Sequence, residues 1–332
     1  MRFERYTYEN AAASSTPGSK DSICCLQFAP SASASPPRLA IGRASGVTVH
    51  TKKKEIRVLT ASGADGGVND VAWSGDGVYL SAALESGQVR VWDYDARKVV
   101  CTFAATTSAA SDASPATSVA SSPQSNLVAV GHYNGTINLW DGRLPPAVAV
   151  AEIQGVHDGA ITSVGFHPDG TTLVSSGMDG LAIVLDATSH VELLKVYGSA
   201  DCGLGHACFS PNGRYLLLRA LGRGGPCSLW DVSDGSAVRR VRTYAAADEG
   251  AAELPLWMNA CFVDDAVVAG QPDGRIVAWK TSGANGEMGE VLVEQGGSVV
   301  PLAVAGSMAG GWLAYGGVNA SRPVVGQVKA FK

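Results

Sequence analysis

Residues 157–197 read HDGAITSVGFHPDGTTLVSSGMDGLAIVLDATSHVELLKVY. Positions 161–166 alternate as a half-buried strand does, and His167-Pro-Asp-Gly170 follows as a turn. A second strand over 172–176 runs into Met178-Asp179-Gly180, the chemistry of a tight hairpin. Positions 181–185 and 191–196 give a third and a fourth strand. The stretch therefore spells four short antiparallel strands in about 40 residues.

The pattern recurs along the chain. Trp92-Asp93, Trp140-Asp141 and Trp230-Asp231 each end an alternating strand, and weaker copies end at Leu185-Asp186 and Trp279-Lys280. The most divergent copies are Gly46–His50 and the stretch ending at Phe331. The anchors are thus 50, 92, 140, 185, 230, 279 and 331, spaced 42 to 52 residues apart. Turns at Gly75-Asp-Gly77, Pro123-Gln-Ser125 and Pro211-Asn-Gly213 hold the same place in their units. Four-stranded units at this period predict an all-β, seven-bladed propeller in one domain over 1–332. The last unit offers only three strands. Residues 2–8 alternate well enough to be the fourth and so to close the ring, with 9–20 as a linker and 21–332 as the blades.

Composition agrees with that class. The 332 residues are 46% apolar and only 17% charged, with 40 glycines and 15 prolines, which disfavours both a disordered scaffold and a helical bundle. A net charge of −5 offers no global field for nucleic acid or anionic membrane. The N-terminus has no apolar signal region and no 18-residue apolar run occurs, so no membrane association is expected. Seven scattered cysteines fit reduced thiols in an intracellular protein better than a disulfide framework. Stretches 31–37, 106–118 and 245–254 read as loops.

No catalytic constellation is visible, so an enzyme is not expected, nor a cofactor. Gly222-Arg-Gly-Gly-Pro226 reads as a hairpin rather than a phosphate cradle. Cys202, His206 and Cys208 have the makings of a soft metal site, but they fall where strand residues pack inward, so no metal is expected. Asp264-Asp265 sits at a turn. Lys52-Lys53-Lys54 with Arg57, and Arg239, Arg240 and Arg242, read as solvated faces.

Function on a rigid disc sits on its loops. Seven positions before each anchor lie the hairpins between the second and third strands: Arg43, Glu85, Tyr133, Met178, Arg223, Pro272 and Val324. The starts of the first strands, including Asn69, Thr117, Ser163, His206 and Trp257 or Asn259, share that face. The expected partner-binding rim is Arg43, Asn69, Glu85, Tyr133, Met178, Arg223, Trp257 and Asn259. Tyr133, Met178 and Trp257 would make it unusually apolar.

The three Trp-Asp pairs, in phase with four degenerate copies, resemble the WD-repeat family over roughly 21–332. That resemblance implies a non-catalytic scaffold that binds protein partners, monomeric within a hetero-complex. It also implies an internal network in which His157 pairs with Ser176 and Asp179. Segments such as 68–73, 173–181 and 209–215 are similar to the WD-repeat subunit of histone H3 methyltransferase complexes of the COMPASS type. The likeness implies a SET-domain methyltransferase assembly as partner, a chromatin role and a nuclear location, with cytoplasm as the alternative. A scaffold for RNA processing, ribosome biogenesis or trafficking is the other reading. That subunit clamps a partner arginine between two aromatic rings beside an acid. The acidic position corresponds here to Glu85, while the aromatic positions fall near Thr117 and Asn259, with Met178 and Arg43 at two further contact positions.

Overall fold

The computed structural model describes residues 2–6, 22–30, 37–51, 55–60, 66–104, 114–142, 149–198, 202–222, 225–235, 238–244, 258–271, 273–282, 289–293, 300–306, 311–318 and 324–329. Its 28 strands form seven four-stranded antiparallel sheets, and each sheet is one blade. Blade 1 comprises β2 (Ile23–Phe28), β3 (Leu39–Arg43), β4 (Gly46–His50) and β5 (Glu55–Thr60). Blade 2 comprises β6 (Val68–Trp73), β7 (Tyr79–Leu84), β8 (Val89–Asp93) and β9 (Lys98–Phe103). Blade 3 comprises β10 (Ala116–Ser121), β11 (Leu127–His132), β12 (Ile137–Asp141) and β13 (Ala151–Ile153). Blade 4 comprises β14 (Ile161–Phe166), β15 (Thr172–Gly177), β16 (Leu181–Asp186) and β17 (Glu192–Tyr197).

Blade 5 comprises β18 (Leu204–Phe209), β19 (Tyr215–Ala220), β20 (Cys227–Asp231) and β21 (Arg239–Tyr244). Blade 6 comprises β22 (Ala260–Val263), β23 (Ala266–Gly270), β24 (Ile276–Lys280) and β25 (Glu290–Val293). Blade 7 comprises β26 (Val300–Gly306), β27 (Trp312–Val318) and β28 (Val324–Lys329), with β1 (Arg2–Tyr6) on the far side of β28.

Hairpin chemistry sets the register within blades. Gly87, Gly135, Gly180 and Gly274 take φ between 80° and 92° at the turns joining second and third strands, where side chains are disfavoured. Gly135 is doubly constrained, since a Cβ there would lie 2.2 Å from the His157 carbonyl oxygen of the next blade.

Packing between blades supplies the core. Seven apolar clusters lie one to each junction between neighbouring sheets. At the junction of blades 3 and 4, Leu139 and Ile137 meet Ile161, Leu173 and Leu185, all nearly inaccessible. Each such side chain contributes roughly 1.5–3 kcal/mol on burial. The turns on the opposite face add cross-blade bonds. Arg38 of blade 1 donates to the Gly77 carbonyl and stacks over Tyr94, Ser122 donates to the Gly170 carbonyl, and His167 lies 3.1 Å from the Gly213 carbonyl oxygen.

The structure corrects the sequence-based account of the last blade and of ring closure. Six anchors share one register: His50, Trp92, Trp140, Leu185, Trp230 and Trp279 pair with Leu39, Leu80, Val128, Leu173, Leu216 and Val267. The seventh does not follow. Leu313 pairs with Gly326, so Gly326 takes the anchor place, and Phe331 lies outside the described residues. The N-terminal strand covers Arg2–Tyr6 rather than 2–8 and pairs with β28 in blade 7. The strand is five residues long and lies at the outer edge, in the order β1-β28-β27-β26. The seam between blades 7 and 1 is instead apolar: Ile23, Leu26, Phe28, Leu39 and Ile41 pack on Ala303, Ala305, Trp312 and Ala314.

Candidate functional site

One face of the disc carries the hairpins between second and third strands. Backbone bonds fix one position in each of blades 2 to 5 there: the amides of Glu85, Tyr133, Met178 and Leu221 donate to the carbonyls of Gly67, Pro115, Ala160 and Gly203. Each bond ties the hairpin to the start of the first strand of the same blade. Glu85 is exposed, and its Oε2 accepts the Gly67 N–H at 2.9 Å. Tyr133 is 60% and Met178 47% exposed, on adjacent blades, and Leu221 of blade 5 is half-buried. Exposed Asp158 precedes the first strand of blade 4 on the same face. Apolar side chains in succession beside carboxylates suit a partner segment with an apolar anchor and a cationic neighbour.

The remaining rim residues expected from sequence sit differently. Arg43 ends β3 half-buried, donating to Thr48 Oγ1 at 3.1 Å, and Ala44 takes the turn position beside it. Asn69 donates to the Ala116 carbonyl at 2.8 Å, and Asn259 Oδ1 accepts the Val304 N–H at 2.6 Å, so both reach across a junction. Arg223 and Trp257 lie outside the described residues, as do Pro272 and Lys52-Lys53-Lys54.

Sequence reasoning missed a set of cross-blade staples behind the rim. The strand position that Asn259 holds in blade 6 is held by Asp70 in blade 2, Ser118 in blade 3 and Ser163 in blade 4. Asp70 accepts from Val119 N–H, Ser118 from Val164 N–H and Ser163 from Ala207 N–H. Burial raises the Asp70 carboxyl to about 6, although three hydrogen bonds pull the other way. A small polar residue recurring at one strand position was the only available signal.

Blade 5 departs from this pattern. His206 holds the staple position, its Nδ1 buried without a hydrogen-bond partner, and burial with the Arg219 charge lowers it to about 4. Arg219 is itself fully buried and donates to the carbonyls of Asn259 (2.9 Å) and Gly270 (2.6 Å). The same strand position elsewhere is Gly42, Ala83, Gly131, Ser176, Gly270 or Gly316. Burial pushes the Cys208 thiol up to about 12, which keeps it protonated. Among the described residues, no three His, Cys, Asp or Glu side chains are grouped to hold a metal ion.

His157 has Asp179 at 3.0 Å on Nδ1 and Ser175 Oγ at 2.9 Å on Nε2. Its hydroxyl partner is thus Ser175 rather than Ser176, because Ser176 points the other way and contacts Thr162 and Ser163. Arg239 and Arg240 are exposed on the outer strand of blade 5, with Arg240 over Trp230. Asp264 lies in a turn at φ 51°. No helix among the described residues is long and apolar enough to cross a membrane.

Residues 53–93, 101–141 and 151–186 match the family described as WD domain, G-beta repeat, and each match ends just past a strand anchor. The chain is 26% identical over 164 residues to the small ribosomal subunit protein RACK1y of Oryza sativa subsp. japonica, covering 49% of this chain and 46% of that protein. It is 29% identical over 116 residues to eukaryotic translation initiation factor 3 subunit I of Vanderwaltozyma polyspora, covering 35% of this chain and 30% of the relative. The chain therefore spans less than half the length of these curated relatives. A chain in a crystal structure of the mitotic checkpoint complex superposes with a TM-score of 0.73 at 17% identity, covering 93% of this chain and 90% of that one, a likeness of fold alone. None of these names carries the histone methyltransferase or nuclear expectation drawn from sequence.

Proposed function

We propose that this WD-repeat β-propeller is a non-catalytic scaffold that docks a segment of a partner protein across Glu85, Tyr133 and Met178. The observation that carries the reading is the exposure of Tyr133 and Met178 at matching turn positions of adjacent blades. Turn positions are ordinarily polar, and exposed aromatic and Met side chains are enriched where partners dock. Glu85 and Asp158 favour a basic residue beside the apolar anchor.

Among assemblies, a translation-linked one has more support than a SET-domain methyltransferase complex. Two relatives are by name a small ribosomal subunit protein and a translation initiation factor subunit. Quantitative affinity capture tests both points. Tyr133→Ala with Met178→Ala is expected to remove one reproducible set of proteins, enriched in translation components, without moving the melting temperature. Full retention of that set would place the interface elsewhere on the disc.

A further inference from the structure

Beyond the rim, an open recess of about 330 Å³ lies on the flank between blades 2 and 3. One lining position sets blade 2 apart. Ser81 points from β7 toward blade 3, and the same register position elsewhere holds Ala40, Ala129, Val174, Leu217, Val268 or Ala314. Those six are wholly buried apolar residues in the packed junctions. Blade 2 alone places a hydroxyl there.

The Ser81 side chain is 2% accessible and lines the recess, and its hydroxyl has no hydrogen-bond partner among the described residues. That hydroxyl opens on the recess, so a group that enters can exchange a hydrogen bond with it. The hydroxyls of Ser121 and Tyr79 and the side-chain amide of Asn126 also line the recess without a hydrogen-bond partner among the described residues. Val91, beside Ser81 on β8, and Leu127 and Val128 of blade 3 supply the apolar lining, and Tyr79 and Val100 are exposed at the lip.

Among the described residues, no carboxylate, ammonium or guanidinium lines the recess. A charged ligand group would lose its hydration there with no counter-charge. A flat apolar ring carrying one neutral hydroxyl fits on each count: it covers the valine and leucine wall, stacks beside Tyr79, and exchanges hydrogen bonds with Ser81. We propose that this recess receives a tyrosine side chain of a partner protein. The partner segment lies over the exposed Val100 and Tyr79 on the flank of the disc, separate from the Glu85–Met178 rim.

Ligand-observed NMR titrations with N-acetyl-tyrosinamide test this. Saturable binding is expected, at least threefold tighter than N-acetyl-phenylalaninamide and at least tenfold tighter than the O-phosphotyrosine amide. Ser81→Val removes the hydroxyl and narrows the recess with the residue type the fold already accepts at Val174 and Val268. It is expected to weaken binding at least tenfold while the melt holds or rises. Ser81→Ala keeps the space and should bring the tyrosine-to-phenylalanine ratio near one. Tyr133→Ala with Met178→Ala should leave the titration unchanged, which separates this site from the rim. Binding that is absent, unaffected by Ser81→Val, or equal for the phosphorylated amide overturns the proposal. So does free p-cresol binding as tightly as the amide, since the occupant would then be a small phenol.

Discussion

Asp70 of blade 2 and Ser118 of blade 3 meet at 2.7 Å, the hydroxyl donating to the carboxylate, while Ser118 Oγ accepts the Val164 N–H of blade 4. Two side chains thereby tie three blades behind the inner strands. The carboxylate is the costly member, since it is buried with no cationic partner among its hydrogen bonds.

Asp70 should make the protein less stable as pH rises. Its folded pKa is raised from 3.8 to about 6, so the native state holds this proton more tightly than the unfolded chain. That contribution is complete below pH 3.8 and is lost as pH rises through 6, about 3 kcal/mol in all. Asp70→Asn, the residue type Asn259 supplies in blade 6, should be more stable than the parent at pH 7.5 and nearly equal to it at pH 4. Urea titrations at the two pH values check this.

His206 should act in the opposite direction. Its folded pKa is depressed from 6.5 to about 4, so its stabilisation is full above pH 6.5 and is lost as pH falls toward 4. His206→Asn should flatten that acid limb, worth about 3 kcal/mol, and change stability little at pH 8. Thermal melts of the single variant across pH 4–8 would expose any other behaviour.

Replacing Arg219 by alanine should destabilise by about 2–4 kcal/mol, because the Asn259 and Gly270 carbonyls lose their donor inside the junction. Arg219→Lys should recover only part, since an ammonium cannot fork to two acceptors. Equal melts for all three proteins would contradict the staple.

Gly131→Ala should cost about 1–3 kcal/mol, as its Cβ would lie 2.5 Å from Ile161 Cγ2 in the packed core. Gly235→Ala, with nothing within 4 Å, is the matched control and should be neutral. Denaturation midpoints distinguish the pair.

Removing residues 1–10 should lower the melting temperature and promote association, because the pairing of β28 with β1 is lost and its edge is uncovered. The apolar seam of Ile23 and Trp312 remains, so a folded core should persist by circular dichroism.

What the sequence showed was local. Alternation, Asn/Asp-Gly turns and Trp-Asp pairs lie within about ten residues of one another, and six anchors landed in one register for that reason. In the last unit the repeat spacing points to Phe331, but Gly326 takes the anchor place inside β28. The blade 5 hairpin is longer, which moved the turn position from Arg223 to Leu221. Ser175 and Ser176 are one residue apart and face opposite sides, a parity the turn alone does not settle. The staples and the recess join residues about 46 positions apart. A lone Ser118 or Ser81 looks like any strand serine until its neighbour across the junction is known.

The pairing of Arg2 with Lys329 carries a kinetic consequence. Most other strands find their partners through short hairpins, whereas this pair closes a loop of about 327 residues. Loop entropy makes that encounter about 3 kcal/mol less favourable than closing a dozen residues. Six blades can each assemble from consecutive segments of chain. The seventh must wait for opposite ends to meet, so refolding should show a late phase reported by blade 7 alone.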